Sequence, residues 1–125
     1  MTQRYQVYRC RVCGNMVEVT RVGRGELVCC DVPMILLPEQ SHEAYHEKHR
    51  PVVEERDGFL RVMVGEVPHP MEDRHFIEWI EVVTGSGVCR KYLHPGDPSR
   101  ADFPGVTSPL RVRCYCNLHG LWKGE

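Results

Sequence analysis

Cys116-Asn-Leu-His119 and the imidazoles of His49, His69 and His75 are the residues best suited to chemistry in this chain of 125 amino acids. Four imidazoles and one thiolate, drawn from three separated stretches, exceed the four ligands that close a structural zinc site. Such a donor set suits a transition metal that takes five or six ligands and can leave one position open for a reactant. Cys116-x-x-His119 is the sharpest local signal, because a strand ending in Cys and a turn returning His can bring both donors to one ion. His69 and His75 bracket Pro-Met-Glu-Asp-Arg, a spacing compatible with ligation but not diagnostic of it. His49 shares a polar stretch with His42 and His46, which read as solvated, as does His94 before its Pro-Gly turn.

A second donor set lies nearer the amino terminus. Cys10-Arg-Val-Cys13 and Cys29-Cys30 supply four thiolates, a complete tetrahedral shell. Gly14 allows a tight turn whose amides point at the sulfurs. So short a segment buries too little surface to fold alone, and a metal would act as its core. Spacing of this sort favours zinc over iron. Neighbouring cysteines, however, point to opposite sides of an extended chain, so Cys29 and Cys30 reach one metal only where the backbone bends. The odd total of seven cysteines, five of them in chelating arrangements, argues for metal binding over a disulfide framework. Cys89 and Cys114 are left over and read as small buried hydrophobes on their strands.

The elements that must position these donors read as β. In the cysteine-rich part, Met16–Val22 and Glu26–Val28 are short runs joined through Gly23-Arg-Gly25. Residues 33–48 form a polar join in which Ser41 could cap one or two helical turns. Beyond it, Val52–Arg56 and Phe59–Val64 flank Asp57-Gly58, a two-residue hairpin signal. Phe76–Val83, Val88–Leu93 and Leu110–Cys116 are further strands. In the last, Leu110, Val112, Cys114 and Cys116 share one face, with Arg111, Arg113 and Tyr115 on the other. Short strands separated by turn residues predict an antiparallel sandwich.

Composition narrows the function classes. Hydrophobic residues make up 42% and the formal charge is −1, enough for a modest core and no basis for nucleic-acid binding. No apolar run approaches the roughly 20 residues that cross a membrane. The start, Met1-Thr-Gln-Arg-Tyr-Gln-Val, has no apolar export signal, so a cytoplasmic location is expected.

Taken together, Cys10-x-x-Cys13, Cys29-Cys30, Glu47-Lys48-His49, His69-Pro-Met-Glu-Asp-Arg-His75 and Cys116-Asn-Leu-His-Gly-Leu-Trp122 resemble the motifs of the desulfoferrodoxin family, the two-iron superoxide reductases. The amino-terminal motif alone looks like desulforedoxin, whose distorted four-sulfur site holds iron, and this turns the preference from zinc to iron. The resemblance spans nearly the whole chain. It implies an all-β protein with a desulforedoxin-like module at 1–37 and an immunoglobulin-like catalytic β-sandwich at 38–125. It implies two iron ions per chain: one on Cys10, Cys13, Cys29 and Cys30, the other with His49, His69, His75 and His119 around an equator and Cys116 axial.

The implied activity is one-electron reduction of superoxide to hydrogen peroxide, a defence against oxidative stress. Lys48 would steer the anion and organise a proton-delivering water. Glu47 would be the ligand that closes the ferric site. The amino-terminal centre would be an electron relay or a staple, since similar proteins without it still reduce superoxide. A rubredoxin-like electron donor and a homodimer are also implied. Two readings compete: a non-catalytic, rubredoxin-like electron carrier whose second site is closed, and a β-sandwich with purely structural zinc.

Overall fold

The computed structural model describes residues 1–41 and 48–124. It divides into two compact units, Met1–Pro38 and Glu39–Glu125. The helical turns expected after Ser41, together with His42, His46 and Glu47, fall outside the described residues. Among the described residues there is no helix, and none long and apolar enough to cross a membrane.

The first unit is made of very short strands because its sequence is broken by glycines, prolines and cysteine turns. β1 (Val7–Arg9) lies between β2 (Met16–Glu18) and β5 (Ile35–Leu36), while β3 (Val28–Cys29) pairs with β4 (Val32–Pro33). The run expected over Met16–Val22 is therefore paired only to Glu18. Its buried apolar side chains are Val7, Cys10 and Val19. So small a set cannot offset the chain entropy of folding, which leaves the sulfur cluster as the organising contact.

The second unit is an antiparallel β-sandwich. One sheet runs β10 (Arg100–Pro104), β7 (Phe59–Val64), β6 (Pro51–Arg56); the other runs β12 (Gly120–Lys123), β11 (Arg111–Cys116), β8 (Ile77–Thr84), β9 (Gly87–Tyr92). The β6–β7 hairpin closes Arg56 onto Phe59 across Asp57-Gly58, with Gly58 at φ 86°, a conformation glycine adopts without a Cβ penalty. Leu60, Val62 and Val64 alternate into the core and meet Ile80, Val82, Phe103, Val112, Cys114 and Trp122.

A register shift opposite Tyr115 and Cys116 pairs them with Trp79 and Ile77, skipping Glu78. This bulge lets Ile77 and Ile80 both join the core, and it ends the strand pairing at Cys116. The opposite face of this sheet is also buried. There Trp79 stacks on Tyr115 with centroids 6.0 Å apart, and Arg113 Nε donates to Glu81 Oε1 at 3.0 Å. Arg90 pairs with the other Glu81 oxygen. Arg113 and Glu81 are cross-strand partners in the β8–β11 ladder.

One expectation fails. Cys89 is exposed, because β9 is the edge of its sheet and most of its side chains face solvent. Cys114 is buried as expected.

Candidate functional site

In the first unit the Cys10–Cys13 turn and the β3 end converge. The four Sγ atoms of Cys10, Cys13, Cys29 and Cys30 lie within 4.8 Å of one another. Cys13 Sγ is 3.5 Å from Cys29 Sγ, and Cys29 Sγ is 4.0 Å from Cys30 Sγ. Four sulfurs at about 2.3 Å from a tetrahedral metal would sit about 3.8 Å apart, between those two values. The backbone bend that adjacent cysteines require is present: Cys30 and the following Asp31 have φ of 53° and 60°.

Backbone amides point at the sulfurs, as a thiolate needs. Val12 N–H and Cys13 N–H donate to Cys10 Sγ at 3.4 and 3.5 Å, and Asn15 N–H donates to Cys13 Sγ at 3.5 Å. The Cys13 amide foremost holds the Cys10 thiol down at about 6. Cys30 is pushed up to about 12, first by its hydrogen bond with the Cys13 sulfur and then by that with Cys10. Crowded sulfurs resist a second negative charge, and a cation among them relieves that resistance.

The second cluster forms at one end of the sandwich. His49 precedes β6, His69 and His75 belong to the segment between β7 and β8, and Cys116 ends β11 with His119 in the turn to β12. Ligand atoms of His49, His75, Cys116 and His119 lie within 4.8 Å of one another. His49 Nε2 is 3.1 Å from His119 Nδ1, and Cys116 Sγ is 3.7 Å from the same Nδ1. Two nitrogens at right angles on one metal, each at about 2.1 Å, would be about 3.0 Å apart. The His69 ring packs edge-on against its neighbours, with centroids 4.7 Å from His49 and 4.6 Å from His75.

Tautomer and burial point the same way. His69 Nδ1 donates to the Pro70 carbonyl at 2.6 Å, which leaves Nε2 with its lone pair free to ligate. The Nε2 atoms of His69 and His75 are buried and have no hydrogen-bond partner among the described residues. Buried polar atoms are rarely left so, and a metal between them accounts for both. Burial foremost holds the His69 imidazole down at about 4, with the neighbouring imidazoles adding to it. His75 is lowered first by burial, then by His119 and His49, and further by the Lys48 ammonium. These rings are neutral at ordinary pH, the form that binds metal. Cys116 is buried while His119 is exposed, so the cluster reaches from the core to the surface.

The structure thus brings together His49, His75, Cys116 and His119 with the His69 ring beside them, and separately the four amino-terminal cysteines. The two clusters fit two iron ions per chain. Lys48 is half-buried next to His49, and its charge reaches His75. Glu47 lies outside the described residues. His94 is apart from the cluster, 81% exposed and 3.5 Å from Asp97.

Three supporting residues went unread in the sequence. The Cys114 thiol donates to the His49 carbonyl at 3.1 Å, although it had been given only a packing role. Trp122 stacks on His49 with centroids 4.7 Å apart and planes 15° from parallel. Asn117 accepts from Phe76 N–H and donates to the Arg74 carbonyl, both at 3.0 Å, bracing the chain on either side of His75. Asn117 lies inside the Cys-x-x-His motif, and Cys114 shares a strand face with Cys116. Those were the available signals.

Comparison with known proteins agrees with this geometry. Residues 41–125 match the family described as desulfoferrodoxin, and residues 2–37 match the desulfoferrodoxin amino-terminal domain. A desulfoferrodoxin of Syntrophotalea carbinolica is 52% identical over 125 residues, covering 100% of this chain and 99% of that one. The superoxide reductase from Treponema pallidum superposes with a TM-score of 0.81 at 27% identity, covering 96% of this chain and 97% of its own. The superoxide reductase (1Fe-SOR) from Giardia intestinalis covers 62% of this chain and 94% of its own, with a TM-score of 0.51 at 28% identity.

Proposed function

The chain belongs to the desulfoferrodoxin family, and on that footing we propose that it is a superoxide reductase, combining superoxide with one electron and two protons to give hydrogen peroxide. The observation that supports this best is the histidine cluster itself: four imidazoles, two of them with orphaned, buried ring nitrogens, gathered around one buried thiol, with His119 at the surface.

His49, His69, His75, His119 and Cys116 would be the ligands of the second iron. Iron there supplies a one-electron couple and a coordination position for the substrate. Neutral imidazoles leave a ferrous site with one thiolate net cationic, so the superoxide anion is drawn to it. The Cys116 thiolate, a soft donor shielded from water, pushes electron density toward the reactant. Lys48 adds a mobile ammonium that concentrates and orients the anion and holds a water for proton transfer. Glu47 would supply a further carboxylate donor for the oxidised iron.

Cys10, Cys13, Cys29 and Cys30 hold the first iron, as an electron relay or a staple. A rubredoxin-like donor, a homodimer and a cytoplasmic location complete the reading.

The test is stoichiometric. Pulse-generated superoxide mixed with the reduced, iron-loaded protein should yield one peroxide per superoxide and release no oxygen. Half an equivalent of peroxide with oxygen release would mean dismutation. No acceleration would mean an electron carrier, and either result rejects the proposal. Cys116→Ser should remove the sulfur-to-iron charge-transfer band and lower the rate by orders of magnitude, while the four-sulfur spectrum stays unchanged.

A further inference from the structure

We propose that Gln40 is a positioning residue for the second metal centre, acting through the backbone carbonyl of His119. This rests on the reading of His119 as a ligand. His119 is the exposed member of the cluster, and its ring packs edge-on against the other imidazoles, with centroids 4.8 Å from His49 and 5.0 Å from His75, while the rest of the residue faces solvent. Its peptide is fixed as well. The His119 carbonyl accepts two side-chain hydrogen bonds from different parts of the fold, Gln40 Nε2 at 2.7 Å and Trp122 Nε1 at 3.2 Å. Both lone pairs of that oxygen are thereby used, which sets the orientation of the peptide and the direction in which Cα projects the ring.

Gln40 is itself held. Its N–H donates to the Leu121 carbonyl at 3.0 Å, and Lys123 N–H donates to its carbonyl at 2.8 Å, a parallel bridge along β12. Its Nε2 also reaches the Leu121 carbonyl at 3.3 Å, so the amide group faces two acceptors and can present only its NH2 to them. Gly120 completes the arrangement: a Cβ there would lie 3.0 Å from Gln40 Nε2, closer than ordinary contact. The glycine leaves room for a side chain that arrives from far away in sequence, 79 residues before His119.

Gln40→Leu keeps the shape and backbone bridge but removes the donor. Gln40→Glu is isosteric and sets a carboxylate against two carbonyls. In the full-length, iron-loaded protein, both should speed iron loss from the second centre to a ferrous chelator by about tenfold, the scale for outer partners of metal ligands. Both should also shift the ferric charge-transfer band of that centre and leave the four-sulfur spectrum untouched. Trp122→Phe, which removes the other donor and keeps a ring against His49, should be non-additive with Gln40→Leu. Chelation rates and spectra equal to wild type in both Gln40 variants would overturn the inference, even if melting temperature fell, because Gln40 would then serve only the sheet. His119→Ala separates the two levels. If it leaves the second chromophore unchanged, the ligand reading fails; if it alters the chromophore while the Gln40 variants do not, only the present inference fails.

Discussion

Gly65→Ala should damage the second centre without touching any donor atom. Gly65 follows β7 at φ 83° and its N–H donates to the Arg50 carbonyl at 3.1 Å. A Cβ there would lie 2.4 Å from the Val67 carbonyl oxygen and 2.6 Å from that of Lys48. Both obstacles are backbone, so neither can swing aside. For an acceptable separation of 3.0–3.4 Å, the Lys48 carbonyl must retreat by roughly 0.4–0.8 Å. That displacement falls on the peptide joining Lys48 to His49. The left-handed backbone costs about 1–2 kcal/mol for a residue with a Cβ. Overpacking adds about 1–3 kcal/mol.

Gly58→Ala is the matched control, with φ 86° and nothing within 4 Å of its Cβ, so it carries the backbone cost alone. The assay is thermal melting followed by circular dichroism, with the ferric spectrum recorded on the same samples. At about 4 °C per kcal/mol or more, Gly65→Ala should melt at least about 8 °C below wild type and below Gly58→Ala as well. Its second-centre band should shift while the four-sulfur band holds. Equal melting and identical spectra for the two alanine variants would refute the claim that Gly65 makes room for the Lys48–His49 peptide.

Lys48→Ala should slow the bimolecular reaction with superoxide and flatten its dependence on ionic strength, since steering is a screened, long-range effect; an unchanged rate and salt slope would remove Lys48 from the mechanism. Cys114→Val should cost about 0.5–1.5 kcal/mol more than Cys114→Ser in denaturant unfolding, because serine keeps a donor for the His49 carbonyl and valine does not; equal midpoints would return Cys114 to packing alone. The metal-free protein should lose stability as pH falls from 6.5 toward about 4. His69 takes a proton near 6.5 when unfolded but only near 4 when folded, so in that window the unfolded state binds more protons and stability rises with pH. Urea midpoints measured across the window should show this, and His69→Gln should flatten it; a midpoint that rises on acidification would contradict the sign.

The residues the sequence singles out for the site are chemically scarce cysteines and histidines at constrained spacings, and the structure gathers them into two clusters. What escaped were contacts made by ordinary residues from far away in sequence. Gln40 on the His119 carbonyl and Cys114 on the His49 carbonyl depend on which backbone groups the sandwich brings past them. No local pattern encodes that. Among the strands, alternation disclosed β7 and β11, whose apolar residues share one face. β10 escaped because Arg100-Ala-Asp-Phe-Pro contains three poor strand formers, and pairing with β7 overrides their preference. Cys89 was misjudged because a strand's position at a sheet edge, which decides its exposure, follows from topology rather than from its own residues.

The Glu81–Arg113 pair bears on how the protein avoids assembling wrongly. Both side chains are at most 1% exposed and face each other across β8 and β11, the strand that delivers Cys116. A slip of one residue along this ladder would turn Arg113 toward Leu60, Val62 and Phe103 and carry Cys116 to the far side of the sheet. The slipped chain would bury an arginine among hydrocarbons and leave Glu81 with Arg90 alone in place of two arginines, a cost of several kcal/mol. The charge pair therefore works as a proofreader of alignment: a chain in which the thiol misses the histidines is also one that cannot close its core.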